Sequence, residues 1–201
     1  ARKRLNNKKG PKPDNFFDLV RKGDLVTLSN SEFNQRIIQI PPAEAAFVSM
    51  NPKNGHIKTY IGGTNFLKTK FDRVRQSFPQ TGSSFKPFIY ASAISRGYDA
   101  SSLINDAPII FEDENLEDYW RPENYTKKFY GLTRLREALV QSINIVSIKL
   151  LRNIGVENVR NDLQAFGFEK RRLPSYLSLA LGSSSFSPIE MTIAVSILVN
   201  E

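Results

Sequence analysis

A serine stands three residues ahead of a lysine in the stretch Gln80-Thr81-Gly82-Ser83-Ser84-Phe85-Lys86-Pro87-Phe88. A serine hydroxyl is a weak nucleophile until a neighbour accepts its proton. Lysine accepts one when its amine is neutral, a state that desolvation favours. Residues three apart on a helix share a face, so Lys86 is placed to reach the Ser83 hydroxyl. A helix N-terminus adds positive potential where an anion develops. Ser83 is the candidate nucleophile and Lys86 the group that manages its proton. Alone the pair is a weak signal. With 19 serines and 14 lysines among 201 residues, about one Ser-x-x-Lys arises by chance. An N-capping serine followed by a solvated lysine is the ordinary reading.

Corroboration comes from Ser142-Ile143-Asn144. A serine and an asparagine two apart, at a helix break, can point into one cleft. There the serine relays a proton to Lys86 and the asparagine amide holds a substrate carbonyl. By themselves Ser142 and Asn144 read equally well as a helix-terminus cap. Other chemistries are narrowed by what is missing. The absence of cysteine excludes thiol catalysis, disulfides and cysteine-ligated metals. His56, the single histidine, sits in the turn-like stretch Asn51-Pro52-Lys53-Asn54-Gly55-His56 with no serine motif near it in sequence. A histidine-rich zinc site is excluded.

The elements that must position these residues follow from pattern. Ala45 to Met50 and Ile57 to Ile61 read as the strands of a hairpin closed by Gly62-Gly63. Pro87 fits only the first turn of a helix, so a helix starts within about a residue of Ser84 and runs to Arg96. Phe85, Phe88, Ile89 and Ala93 form its apolar face, and Gly97 stops it. Residues 98–131 read as loop-rich, with a solvated acidic block at Glu112, Asp113, Glu114, Glu117 and Asp118. Helical spacing returns at Thr133, with Leu135, Leu139 and Ser142 on one face, and continues with a break to Gly155. A further helix spans Val156 to Phe166. Ser187-Pro188-Ile189-Glu190 combines an N-cap serine, a first-turn proline and a capping-box glutamate, which starts a helix running to Val199.

The net charge of +8 is uneven, because residues 1–14 carry six basic side chains against Asp14 alone. A solvated, flexible arm is the ordinary reading. A contact with nucleic acid or anionic lipid is the sharper one, although no aromatic residue interleaves to stack bases. Residues 1–42, ending at Gln39-Ile40-Pro41-Pro42, read as this segment plus, from Phe16 to Val26, strand edges of a small subdomain, and residues 43–201 as the main domain. No apolar run approaches the ~20 residues of a membrane span.

The blocks, in their order, resemble the transpeptidase domain of class A (bifunctional) penicillin-binding proteins. The resemblance runs from about Ala46 to Asn200. It takes in Tyr60-Ile61-Gly62-Gly63, Phe71-Asp72-Arg73, the Ser83–Lys86 stretch, Trp120-Arg121-Pro122-Glu123-Asn124, Leu135-Arg136-Glu137-Ala138-Leu139 and Gln141-Ser142-Ile143-Asn144. Leu179-Ala180-Leu181-Gly182 and Ser187-Pro188-Ile189-Glu190-Met191 complete it. The pairing of Ser-x-x-Lys with a separate Ser-x-Asn is the signature of this group and of class A β-lactamases.

This resemblance implies an α+β penicillin-recognising serine transpeptidase/β-lactamase-like fold, with a mixed helical subdomain and part of a five-stranded antiparallel sheet. It implies that Ser83 is acylated, that Lys86 is its general base, that Ser142 carries the proton towards the leaving amine and that Asn144 binds the peptide. The implied substrates are peptidoglycan stem peptides ending in D-Ala–D-Ala, with β-lactams as their mimics. No cofactor, metal or nucleic acid is implied, and the expected location is the periplasmic face of the bacterial inner membrane. The family's third element, Lys-Thr/Ser-Gly, is missing. Lys58-Thr59 precedes Tyr60, and Lys68-Thr69 precedes Lys70. The expectation is a fragment incomplete at its C-terminus, one arrangement being a second chain that carries the rest. With the same fold, a D,D-carboxypeptidase, a β-lactamase or a non-catalytic β-lactam sensor stays open.

Overall fold

The computed structural model describes residues 4–5, 8–9, 12–31, 34–38, 43–109 and 120–200. The acidic block at 112–118 and the proline pair at 41–42 lie outside them. The chain forms two compact units, Ala1–Glu44 and Ala45–Glu201.

In the first unit, β1 (Arg4–Leu5) pairs antiparallel with β2 (Lys8–Lys9), and β3 (Thr27–Ser31) with β4 (Asn34–Ile38). Where strand edges are expected between Phe16 and Val26, a 3-10 turn forms at Phe16–Asp18 instead. Asn15 explains it. Its carboxamide accepts from the Phe17 and Asp18 N–H groups, and Asp18 returns a bond to the Asn15 N–H. That is a reciprocal cap.

The second unit opens with the expected hairpin, β5 (Phe47–Met50) against β6 (Ile57–Ile61), with Phe47 opposite Ile61. A 3-10 turn at Gly82–Phe85 leads into α1 (Lys86–Ser95). The regular helix thus begins two residues later than the proline argument places it, with Pro87 still in its first turn. Phe85, Phe88, Ile89 and Ala93 are fully buried, as their spacing requires.

Two expectations are corrected. Residues 98–131 are not all loop, because β7 (Leu103–Asp106) pairs antiparallel with β8 (Gly131–Arg134), placing Thr133 in a strand. Helix α2 then covers Leu135–Val140, and α3 covers Asn144–Ile154. Ser142 falls in the break between them at φ +53, off the face that Leu135 and Leu139 share. Helix α4 is Val156–Asp162, tightening into a 3-10 turn at Leu163–Phe166. Helix α5 (Pro188–Val199) carries the Ser187–Glu190 capping box in full.

One apolar core joins α1, α2, α3, α4 and the turn Leu177–Leu181. At its centre Phe85, Phe88, Phe168 and Phe186 meet with ring centroids 4.7–6.2 Å apart. Such pairs add ~0.5–1.5 kcal/mol each beyond the area they bury. Helix α1 packs on α3, and through this contact Lys86 and Asn144, each the first residue of its helix, come together.

Candidate active site

Ser83 sits in the 3-10 turn Gly82–Phe85, exposed, whereas Lys86 is only 1% exposed. The turn is held from behind by a segment a hundred residues away. Thr81 N donates to Ser184 O, and Gly82 N to Gly182 O, both at 3.0 Å. Thr81 Oγ1 lies 3.2 Å from each of the same carbonyls. Gly182 permits this approach, since a Cβ there would stand 1.9 Å from Gly82 O. Ser84 turns its hydroxyl back to Thr81 O at 2.6 Å, so it is occupied as a local brace.

Lys86 Nζ reaches across to the break between α2 and α3. It donates to Ser142 O at 2.7 Å, to Ser142 Oγ at 3.1 Å and to Asn144 Oδ1 at 2.8 Å. Three acceptors match the three protons of an ammonium. Burial lowers the Lys86 pKa from its ordinary 10.5 to about 8, because an apolar surrounding disfavours the charged form. Ser83 Oγ is not among these partners. Three of the four residues singled out from sequence, Ser83, Ser142 and Asn144, line one cleft of about 330 Å³ together with Asn124, Tyr130 and Ile143, and the buried Lys86 is bonded to two of them, Ser142 and Asn144.

The break that places Ser142 is built like a helix stop. Ile143 N bonds to Ala138 O at 2.8 Å, and Ser142 N to Leu139 O at 3.1 Å. Those are the two bonds of a Schellman motif, whose left-handed position is ordinarily glycine. Here it is Ser142, and the left-handed backbone turns both its carbonyl and its hydroxyl to Lys86.

Asn124, which lines the cleft, is a residue to which sequence reasoning assigned no role. Only 5% exposed, it accepts from Asn144 N at 3.0 Å and Ile145 N at 3.1 Å, and donates to both carboxylate oxygens of Asp106 at 2.9 Å. Asp106 ends β7 and also accepts from Tyr130 N at 2.9 Å. Asn144 Nδ2 donates to Glu123 O at 3.0 Å. The partners of Asn124 on α3 and β7 lie 18–21 residues away in sequence, so no local pattern announces its part. His56 is exposed on the hairpin turn, outside this cleft.

A neutral Lys86 keeps two N–H bonds, which satisfy the Ser142 carbonyl and the Asn144 carboxamide oxygen. Its lone pair is then left for a hydroxyl, so the arrangement suits proton transfer from a serine and relay through Ser142.

Known proteins share this sequence and fold. The model of the penicillin binding protein transpeptidase domain matches residues 45–201. Penicillin-binding protein 1A of Pseudomonas aeruginosa is 43% identical over 97% of this chain and 24% of its own length. The crystal structure of penicillin-binding protein 1A from Haemophilus influenzae superposes with a TM-score of 0.79 at 37% identity, covering 86% of this chain and 26% of that one. The PonA1 protein from Mycobacterium tuberculosis in complex with penicillin V gives a TM-score of 0.67 at 25% identity, over 79% of this chain and 44% of that one. The chain spans about a quarter of the length of the curated relatives it matches.

Proposed function

Because the chain belongs to the penicillin-binding protein transpeptidase family, we propose that it carries the nucleophile side of a peptidoglycan D,D-transpeptidase site. The observation that carries this reading is the convergence of Ser142 O, Ser142 Oγ and Asn144 Oδ1 on the buried Lys86 Nζ, beside an exposed Ser83.

The steps follow from those groups. Ser83 Oγ attacks the penultimate D-Ala carbonyl carbon of a stem peptide while its proton passes to the neutral Lys86 amine. Ser142 relays that proton to the departing nitrogen, the C–N bond breaks, and terminal D-Ala leaves from an ester on Ser83. An amine from a neighbouring stem then attacks the ester, its proton returns by the same route, and Ser83 is released. Asn144 presents its carboxamide to the substrate backbone. A β-lactam undergoes the first half only, and penicillin V in the Mycobacterium tuberculosis neighbour supports such ligands here. The Lys-Thr/Ser-Gly element does not occur in the sequence. We assign it to the remainder of the domain, on the same chain or a second one, along with a site of action on the periplasmic face of the inner membrane. Among the described residues no helix is long and apolar enough to cross a membrane.

The test is covalent labelling of the intact protein with a fluorescent penicillin. The wild type is expected to hold the label for minutes and Ser83→Ala to take none. Undiminished labelling of Ser83→Ala would overturn the choice of nucleophile. Release of the label within seconds would identify a β-lactamase instead. Failure to join stem peptides into cross-linked dimers, with labelling intact, would identify a carboxypeptidase if D-Ala is freed and a sensor if it is not.

A further inference from the structure

We propose that Asn124, oriented by the buried carboxylate of Asp106, is the positioning residue that sets the Ser142–Asn144 edge of the cleft against Lys86. This rests on the reading of Ser83 as the acylated residue.

The need for such a residue begins with α3. Its N-cap is Ile143, which has no side-chain acceptor to offer. The first N–H groups of a helix have no partner within it, and Ile145 is fully buried, so water is not available to its N–H. Asn124 Oδ1 accepts from both Asn144 N and Ile145 N, capping α3 from twenty residues upstream.

What fixes Asn124 is more than a cap requires. Its Nδ2 donates to both Asp106 oxygens and to Lys128 O, all at 2.9 Å. Rotating the amide by half a turn would set its oxygen against a carboxylate and a carbonyl, and its N–H groups against N–H groups. Only one orientation is therefore allowed. Asp106 is 1% exposed, and a buried carboxylate is costly unless fully paired. A serine at the N-cap would close the helix without a buried charge. The costlier solution also governs where α3 starts.

The second amide of the site is clamped by the same loop. Asn144 Nδ2 donates to Glu123 O, one residue before Asn124, while Asn144 Oδ1 accepts from Lys86 Nζ at 2.8 Å. Backbone and side chain of Asn144 are thus both referred to residues 123–124, and through Asn124 to the end of β7. A displacement of about 1 Å in such a group can cost ~100-fold in rate.

The intact protein is labelled with fluorescent penicillin, and the acylation rate constant is read per labelled site, the end-point counting folded sites. We expect Asn124→Ala and Asn124→Asp each to slow acylation roughly 100-fold, the latter by facing two carboxylates across the pair. Adding Asp106→Asn to Asn124→Asp restores one donor facing one carboxylate and returns the rate to within about tenfold. Arg96→Ala, which removes the ion pair with Asp162, lowers the melting temperature and leaves the rate constant unchanged. Rate constants for Asn124→Ala and Asn124→Asp within threefold of wild type would overturn the proposal. A double variant as slow as Asn124→Asp alone would overturn it too. Absence of labelling in the wild type would overturn both this proposal and the acylation reading.

Discussion

In the mechanism we propose, Lys86 has to be buried to be useful, and burial sets the pH at which it would accept a proton. Below about 8 its amine carries a third proton and has no lone pair for the Ser83 hydrogen. The acylation rate is therefore expected to rise about tenfold per pH unit up to about pH 8 and to level off above it. A profile flat from pH 6 to 9 would remove Lys86 as the base. Stability follows the same group with a worked sign. Below about 8 both folded and unfolded chains carry the proton, and the folded state bears the full desolvation cost. Between about 8 and 10.5 only the unfolded chain stays protonated, so this penalty is relieved as pH rises. Ser142 carries a conformational cost of its own at φ +53. A left-handed non-glycine residue costs roughly 1–2 kcal/mol. Ser142→Gly should therefore be about 1 kcal/mol more stable than Ser142→Ala in urea melts, while both lose the relay hydroxyl and acylate equally slowly. Equal stability of the two would show that the break carries no strain.

Helices and strands place those residues with unequal legibility in the sequence. Helix α5 and the start of α1 were readable because proline and capping residues act locally. The hairpin β5–β6 was readable for the same reason, its turn lying within six residues. The β7–β8 ladder was not. Its strands are more than twenty residues apart, and its alternation is broken because Asp106 occupies a buried position where Ile104 sets an apolar pattern. That carboxylate holds Asn124, so the local rule fails where the site imposes its own demand. The α2–α3 break was expected only loosely, because its left-handed position carries Ser142 and not the glycine that would announce it. Of the candidate site, Ser83, Lys86, Ser142 and Asn144 were picked out by type and spacing, and the roles proposed for them came from the resemblance. Their support from Asn124, Asp106 and Gly182 was not, since it depends on long-range approach. Gly182 gives this a measurable form. Gly182→Ala puts a methyl group into Gly82 O at φ +69, and should destabilise the chain by roughly 3 kcal/mol. Ser83 labelling should slow with it, because the strut behind the nucleophile turn moves. A variant with wild-type melting and labelling would show that the approach is dispensable.

At the scale of the whole molecule, the excess of basic charge and the buried apolar cluster come from different stretches of the sequence. Residues 1–14 hold six of the 28 basic side chains, whereas the buried apolar cluster is drawn entirely from residues 85–194. Every hydrogen bond described around Lys86, Ser142, Asn144 and Asn124 likewise lies within the unit Ala45–Glu201. The first unit has a different make-up, with Phe16, Phe17 and Leu25 exposed. Among its residues 12–28 and 43–44 none is a buried hydrophobic. We therefore propose that residues 1–44 act as a separate module from the acyl-transfer unit. Replacing them in the intact protein by a Gly/Ser linker of equal length should leave the Ser83 acylation rate within about twofold of wild type at low salt. If the charge of the segment plays no part in acylation, raising the salt to about 0.5 M should affect both forms alike, because salt screens exposed charges. A tenfold loss of labelling on replacement would mean instead that the basic segment helps to shape or fill the cleft, and a loss confined to low salt would assign that help to its charge.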